Sequence, residues 1–330
     1  MGQLRAAAVN AVHFIVPEGI DDPVRPSGGN VYDRHVSRGL RALGWEVREH
    51  HGLARALASI PDGGTVLLDG LLASPAPEIL VPEAHRLRQV VLMHMPLGTG
   101  QERAVLEAAA GVVATSAWTK RRLAELYGID RVHVAEPGVE EAELAPGSAD
   151  GGKLLCVAAV TPHKGHDVLL DALAAAQDLP WRCECVGSLS RDADHAERML
   201  RRARWLNGRV RFAGARIGGE LRAAYAAADL LVLPSRAETY GMVVTEALAR
   251  GVPVIAADVG GVREALGHAE DGTRPGLLVA PDDFVALGEA LRSWLDDEVL
   301  RARLRRSARQ RRETLRSWSQ TTATVAGALA

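Results

Sequence analysis

Short apolar runs rich in β-branched residues alternate with longer amphipathic segments along the whole chain. Helical patterns such as VYDRHVSRGLRAL and WTKRRLAELYG separate most of the apolar runs. Strands that alternate with helices predict a parallel sheet wrapped by helices. In the first half the predicted strands cover residues 6–16, 45–50, 65–69, 89–94, 111–116 and 131–137.

A polar, acidic and glycine-bearing stretch follows, EEAELAPGSADGGK, which keeps neither the strand nor the helix period and is typical of a linker. The alternation then starts again. The six further strand candidates are KLLCVAAV, RCECVGS, RVRFAG, LLVLPS, PVIAA and GLLVA.

This repeated pattern predicts an α/β protein of two Rossmann-like parallel-sheet domains that face a central cleft. We expect an N-terminal domain over residues 1–140, a linker over 141–152 and a C-terminal domain over 153–308. Residues 309–330 are arginine-rich and helical in pattern, and we expect them to form a solvated C-terminal helix that packs back toward the N-terminal domain.

Composition and charge narrow the class of protein. A net charge of -2 over 330 residues offers no electrostatic argument for a nucleic-acid partner. The N-terminus does not resemble a signal sequence, and no apolar run reaches the roughly 18 residues that span a bilayer, so we expect a cytoplasmic protein without integral membrane association. Three cysteines in apolar runs predict reduced core thiols, and we expect no metal site.

Two Rossmann-like halves are also typical of dehydrogenases, which makes the glycine motifs decisive. No predicted strand leads into G-x-G-x-x-G, and the nearest string, from Gly98 to Arg103, lacks the third glycine. The chain has no P-loop string either. A nicotinamide or ATP enzyme is therefore disfavoured, and we expect no cofactor.

In the first half, Gly28, Gly29 and Asn30 stand at the start of a predicted helix. Two glycines let the backbone approach a ligand closely, and a helix N-terminus offers free N–H groups to a phosphate. A plain turn with an N-cap would give the same letters, so this loop is a candidate donor-binding site only in company with other signals.

In the second half, SRAETYGMVVTEALARGV follows the LLVLPS strand. Glu238 lies in the loop, Gly241 ends it, and Glu246 lies on the helix that begins at Met242. The helix start at Gly241, Met242 and Val243 aims N–H groups at a diphosphate, and carboxylates accept from sugar hydroxyls. Because Glu246 is embedded in a mostly apolar helix, its carboxylate needs a donor.

The stretch 229–266 resembles the signature of glycosyltransferase family 4, retaining enzymes of the GT-B architecture, whose E-x(7)-E motif falls on Glu238 and Glu246. The likeness extends over nearly the whole chain through weaker strings. These are the GGN loop, the strand ending at His94, VVATSAWTKRRLAELYG, PGVE, VTPHKG and VRFAGARIGGELRAAYAAAD.

This resemblance implies a role for each matching residue. Glu246 would hold the ribose hydroxyls of the donor nucleotide. Glu238, with backbone amides from about Tyr240 to Val244, would hold the transferred sugar and the diphosphate. His94 matches a histidine that contacts the donor sugar near its reacting carbon.

Two further matches concern the phosphates and the base. Lys164 matches the family's phosphate-binding lysine, and it is one of only three lysines among 39 basic residues. A compact point charge on the leaving phosphate is a physical reason to keep lysine there. Gly214, Ala215 and Arg216 match the loop whose backbone reads the base.

One position departs from the family pattern. Ala159 stands where family members often carry an arginine that clamps the diphosphate. Either Lys164 and helix amides suffice, or another arginine, Arg216 or Arg236, takes its place.

The resemblance implies a retaining, metal-independent glycosyltransferase that moves a sugar from a nucleotide-diphosphate donor, UDP favoured over GDP, to a hydroxyl of a small-molecule acceptor. A nucleotide-sugar epimerase or hydrolase on the same scaffold is the alternative. A non-catalytic binding protein descended from such enzymes is disfavoured, because Glu238, Glu246 and Lys164 are all present.

Overall fold

The computed structural model describes residues 10–330, so residues 6–9 of the first predicted strand lie outside the described residues. The described chain forms two compact units. The first comprises residues 10–20, 28–138 and 317–330, and the second comprises residues 21–27 and 139–316.

The first unit is built on six parallel strands with helices between them. Its strands are β1 (Ala11–Ile15), β2 (Glu46–His50), β3 (Thr65–Asp69), β4 (Arg88–Met93), β5 (Gly111–Ala114) and β6 (Val132–Val134). Its first helices are α1 (Gly28–Ala42), α2 (Leu53–Ser59), α3 (Gly70–Ala73), α4 (Pro77–Glu83), α5 (Gly100–Ala108) and α6 (Ala117–Tyr127). The strand order is β2-β1-β3-β4-β5-β6, so the chain changes direction across the sheet between β1 and β3.

The second unit repeats this architecture. Its strands are β7 (Lys153–Val157), β8 (Arg182–Val186), β9 (Val210–Gly214), β10 (Leu230–Leu233), β11 (Val254–Ala257) and β12 (Gly276–Val279). Its helices are α7 (His166–Ala174), α8 (Ala193–Ala203), α9 (Gly218–Ala226), α10 (Met242–Leu248), α11 (Val262–Leu266), α12 (Phe284–Asp296) and α13 (Glu298–Arg312). The order β12-β11-β10-β7-β8-β9 places the change of direction between β7 and β10.

The chain ends in α14 (Trp318–Leu329), which belongs to the first unit and packs on α1. The packing is close, since a Cβ added to Gly39 of α1 would lie 2.3 Å from Oγ1 of Thr322. The prediction of a single helix over 309–330 is wrong, because α13 ends at Arg312 and Ser317 begins α14 with a capping box.

The stretch 141–152, predicted to be a linker, belongs to the second unit. The backbone N–H of Ser148 donates to Asp229 at 2.5 Å, and the Lys153 N–H donates to the same buried carboxylate at 2.9 Å. A polar stretch without periodicity is therefore anchored by one buried acidic side chain from 76 residues further along the chain.

The observed strands end earlier than the apolar runs that predicted them. The run at 131–137 gives only Val132–Val134, and LLVLPS gives only Leu230–Leu233. Proline ends such runs because it lacks an N–H for the ladder. The residues that follow the strands form the loops at the carboxyl edge of each sheet.

The interior is apolar, and the three cysteines lie in it as free thiols, as predicted. The β7–β8 register sets Cys156 beside Cys185 in the core of the second unit. Among the described helices, none combines the length and the apolar character required to cross a membrane.

Candidate active site

The carboxyl ends of β7 and β10 meet at the point where the strand order of the second sheet reverses. In open α/β sheets, ligands bind in the crevice outside the strand ends at such a point. The loop after β7 carries Lys164, and the loop after β10 carries Glu238. Two residues that are far apart in sequence thus come to one edge of the sheet.

Lys164 and Glu238 form an ion pair there. Nζ of Lys164 donates to Oε1 of Glu238 at 2.6 Å, and Oγ of Ser235 donates to the same oxygen at 2.8 Å. Their side chains are 21% and 13% exposed, so both are shielded but can be reached from solvent. A negative ligand can bind this ammonium group without a large rearrangement.

Glycines make this close approach possible. Gly165 has a φ of +67°, and a Cβ there would lie 2.1 Å from the carbonyl oxygen of Pro234. At Gly260, with a φ of +55°, a Cβ would lie 1.5 Å from the carbonyl oxygen of Glu238. The backbone on both sides of Glu238 is therefore set by positions that only glycine can occupy.

Glu246 lies on α10, with its side chain half-buried against α9. The hydroxyl of Tyr225 donates to its Oε2 at 2.6 Å, and the guanidinium of Arg250 lies over the Tyr225 ring at 5.0 Å. Burial raises the pKa of Glu246 above its ordinary value, against the opposing effects of the Tyr225 hydrogen bond and the Arg250 charge. The predicted donor for Glu246 is thus provided, in part, by the protein itself.

The start of α10 is uncapped. Gly241 precedes the helix with a φ of +94°, and no side chain in the described structure caps the N–H groups that follow. Met242 and Val243 are half-buried, whereas the ring of Tyr240 is buried in the core. Any contact of Tyr240 with a ligand must therefore come from its backbone.

The two arginines considered as substitutes at Ala159 both bind carboxylates. Arg216 donates both terminal nitrogens to Glu184 at 3.0 and 3.2 Å, and Arg236 does the same to Asp167 at 2.9 Å for each bond. Bidentate pairs of this kind are the strong class of charged hydrogen bond. Neither arginine replaces the clamp as the described structure stands.

The base-reading candidates lie at the opposite edge of the sheet. Gly214 ends β9 with a φ of +75°, and Ala215 and Arg216 follow, half-buried, before α9 begins. A Cβ at Gly214 would meet no atom within 4 Å, so the space beside this backbone is open.

In the first unit, the predicted GGN loop and His94 lie next to each other. Gly28, Gly29 and Asn30 form the first turn of α1, and a Cβ at Gly29 would lie 3.3 Å from Cδ2 of His94. Asn30 donates its amide to the carbonyl of Ile20 at 3.2 Å. These residues are therefore helical rather than a loop before the helix, and their neighbour is the His94 ring.

His94 is held by two buried carboxylates that sequence reasoning missed. Its Nε2 lies 2.8 Å from Oδ1 of Asp33 on α1 and 3.6 Å from Oδ2 of Asp69 at the end of β3. Burial alone would lower the pKa of His94, but the charge and hydrogen bond of Asp33, with the charge of Asp69, raise it above 6.5. Burial and the neighbouring Asp69 raise the pKa of Asp33 to about 6 although His94 opposes this.

The one ligand atom from each of these three residues lies within 4.8 Å of the others, a spacing that would also suit a cation. However, the 2.8 Å separation of Nε2 and Oδ1 is that of a hydrogen bond. A shared proton accounts for the geometry without an ion.

The structure therefore brings the predicted residues together within each unit. Lys164 contacts Glu238 in the second, and His94 contacts Gly29 in the first. Tyr225 was missed because an isolated tyrosine in an alanine-rich helix carries no motif.

Comparison with known proteins identifies the class. The family model described as Glycosyl transferases group 1 matches residues 145–311. The D-inositol 3-phosphate glycosyltransferase of Kineococcus radiotolerans is 34% identical over 237 residues, which are 64% of this chain and 54% of that protein. The enzyme of the same name from Salinispora tropica is 33% identical over 280 residues, 73% of this chain and 57% of that protein. The alignments thus span little more than half of these relatives.

Solved structures show the same fold. Sucrose-phosphate synthase from Thermosynechococcus elongatus has a TM-score of 0.78 at 22% identity, covering 96% of this chain and 98% of that one. Anabaena Alr3699/HepE in complex with UDP and glucose has a TM-score of 0.76 at 20% identity, with the same coverage. The predicted fold class, two Rossmann-like parallel-sheet domains of the GT-B architecture, is confirmed.

Proposed function

The chain belongs to the family of glycosyl transferases group 1, and on that premise we propose that it is a retaining enzyme that transfers a sugar from a nucleoside-diphosphate sugar to a hydroxyl of a small acceptor. The observation that carries this proposal is the Lys164–Glu238 pair at the reversal point of the second sheet. It offers one cation and one carboxylate where a ligand of this fold binds.

Lys164 is the residue we assign to the leaving diphosphate. Breaking the bond between the anomeric carbon and the phosphate oxygen leaves negative charge on the diphosphate and positive charge on the sugar ring. A preorganised cation stabilises the first of these charges. Arg216 and Arg236 each make two bonds to a carboxylate, whereas the Lys164 ammonium has three donors and a single carboxylate contact at 2.6 Å.

Glu238 and Glu246 are assigned to the sugar and the ribose. A carboxylate accepts hydrogen bonds from hydroxyls, and Glu238 already receives donors on Oε1 from two protein groups, which orient it. In Glu246 the Tyr225 hydroxyl binds Oε2 and fixes the carboxylate plane. The backbone amides from Tyr240 to Val244 would add donors to the diphosphate.

We assign the acceptor proton to the leaving phosphate, in a reaction on the face from which the phosphate departs, so no protein nucleophile and no metal takes part. UDP is the favoured nucleotide, and the binding of UDP by the HepE protein supports this choice. The names of the relatives, which act on an inositol phosphate, support a small polyhydroxyl acceptor.

The direct test is product analysis with UDP- and GDP-sugars, with and without a panel of small polyols, in buffer containing EDTA. We expect UDP release that depends on an acceptor, and NMR of the product should show the anomeric configuration of the donor. Free sugar or an epimerised donor formed without acceptor would instead establish a hydrolase or an epimerase.

A second measurement tests the ribose site. We expect Glu246→Gln to weaken UDP binding about 10-fold or more, because a hydrogen bond to a charged group is worth roughly 1.5–3 kcal/mol. Tyr225→Phe should weaken it less, since it removes the group that orients the carboxylate. Calorimetric titration with UDP measures both.

The matched control for the ribose site is Glu289→Gln on the exposed face of α12, which should bind UDP like the unmodified protein. Because the pKa of Glu246 is raised, its carboxylate gains a proton at a higher pH than an ordinary glutamate. UDP binding should accordingly weaken as the pH falls, and Glu246→Gln should remove that dependence. Unchanged affinity in Glu246→Gln would contradict the assignment.

A further inference from the structure

Three buried titratable groups converge at the carboxyl edge of the first sheet. Asp33 comes from the second turn of α1, Asp69 ends β3, and His94 follows β4. Asp33 is wholly buried, Asp69 is 1% exposed and His94 is 8% exposed. No local motif links them, so their proximity is a product of the fold.

The two carboxylates have unequal hydrogen-bond partners. Oδ1 of Asp69 accepts from the backbone N–H groups of Leu71 and Leu72 at 2.7 and 3.2 Å, which caps α3 and stabilises the ionised form. Oδ1 of Asp33 contacts His94, but its Oδ2 is buried and has no hydrogen-bond partner in the described structure. Asp33 therefore depends on the His94 ring for its compensation.

The ring itself has little freedom. Gly29 lies against its Cδ2 edge, and the ring of Tyr32 meets it edge-on at a centroid distance of 5.3 Å. The Tyr32 hydroxyl donates to the carbonyl of Ala135 at 2.8 Å, so it faces away from this network. Asp33 and Asp69 are thus the charged groups that face His94 from α1 and β3.

We propose that Asp33 is a positioning residue that holds His94 as an imidazolium, with Nε2–H bonded to the Asp33 carboxylate and Asp69 as a second negative neighbour. A neutral imidazole would leave two buried carboxylates without a cation beside them, which is strongly unfavourable. With Nε2 engaged, Nδ1–H is the nitrogen that remains for a ligand. It is a donor in the imidazolium, so its partner is an oxygen acceptor such as a sugar hydroxyl or a phosphate.

This inference rests on the proposed transferase function for its catalytic consequence, but its core concerns a protonation state that can be measured without substrate. The titration curve of His94 in the full chain can be followed by NMR of ¹⁵N- and ¹³C-labelled histidine. The His94→Gln variant identifies the resonance. His13 and His50, which contact each other at 2.8 Å away from these carboxylates, serve as internal controls.

The decisive variant is Asp33→Asn, which keeps the size of the side chain and removes its charge. In the unmodified protein we expect His94 to stay protonated above pH 6.5. In Asp33→Asn the pKa of His94 should fall by at least about 1 unit, because an opposite charge at this distance is worth 1–3 units. The curves of His13 and His50 should not move.

The pH profile of sugar transfer provides the second readout. The rate should require ionised Asp33 and protonated His94, so activity should rise through about pH 6 and fall at alkaline pH. In Asp33→Asn the alkaline limb should move to lower pH by the shift measured by NMR, with kcat at pH 8 reduced about 10-fold or more per unit. A residue with a purely structural role would lower the rate equally at all pH values.

A thermal melt checks that Asp33→Asn is folded, and Asp69→Asn, with a longer 3.6 Å contact, should show a smaller shift of the same sign. The proposal is overturned if His94 titrates near 6.5 and ignores Asp33→Asn. It is also overturned if one equivalent of Zn²⁺ or Mn²⁺ binds the unmodified protein but not His94→Gln. If no donor supports sugar transfer, the proposed function fails while the NMR titration still decides the protonation state.

Discussion

Replacing Lys164 by alanine should lower kcat for sugar transfer at least ~10²-fold, the effect expected when a preorganised charge at a transition state is removed. The Lys164 ammonium lies 2.6 Å from Glu238, so its loss also leaves this carboxylate with the Ser235 hydroxyl as its remaining printed donor. We therefore expect both the leaving diphosphate and the sugar contact to suffer. Steady-state kinetics with the best donor measures the change.

Two variants sharpen the Lys164 test. Lys153→Ala removes an exposed lysine at the opposite end of β7 and should leave kcat unchanged. Lys164→Arg keeps the charge but changes its shape and reach, and we expect partial activity. A rate within a few-fold of normal for Lys164→Ala would remove Lys164 from the reaction.

Replacing Gly260 by alanine should destabilise the second unit by about 3 kcal/mol or more, or prevent its folding. The added Cβ would lie 1.5 Å from the Glu238 carbonyl oxygen, and the φ of +55° is itself strained for alanine. The loop cannot move freely, because the Gly261 N–H donates to the same carbonyl at 3.2 Å. Chemical denaturation followed by circular dichroism gives the change in unfolding free energy.

Gly288→Ala is the matched control in the same unit. Gly288 lies inside α12, where a Cβ would make ordinary contact at 3.5 Å with the Ala172 carbonyl oxygen. Alanine at that position should be neutral or stabilise by up to about 1 kcal/mol through helix propensity. If Gly260→Ala were as stable as Gly288→Ala, the backbone around Glu238 would have to be more adaptable than its contacts indicate.

Local pattern was enough to predict both sheets. The run at 65–69 coincides with β3, and each predicted strand with described residues has its counterpart. The interruption at Ser317 was not predictable, since the arginine-rich helix and the apolar helix share a period across it. Ser148 illustrates the same limit, because only a buried aspartate from another strand holds it in place.

At the candidate site, the residues with a motif were identifiable and their partners were not. Glu238 and Glu246 stand in a specific string, but Tyr225 and Asp33 occupy ordinary helical positions. A residue of this kind acquires its role from what lies across the fold from it. The choice between Arg216 and Arg236 likewise needed the structure, since each proved to be bound to a carboxylate.

The sequence by itself determined the two α/β domains, the carboxylate pair and the lysine, because strand and helix periods and short motifs are properties of neighbouring residues. Tertiary structure alone decided that Lys164 reaches Glu238, 74 residues away, and that Asp33 reaches His94, 61 residues away. The physical reason is the order of the strands. β10 pairs with β7, and β3 lies beside both β1 and β4, and this order is set by how helices pack on both faces of the whole sheet.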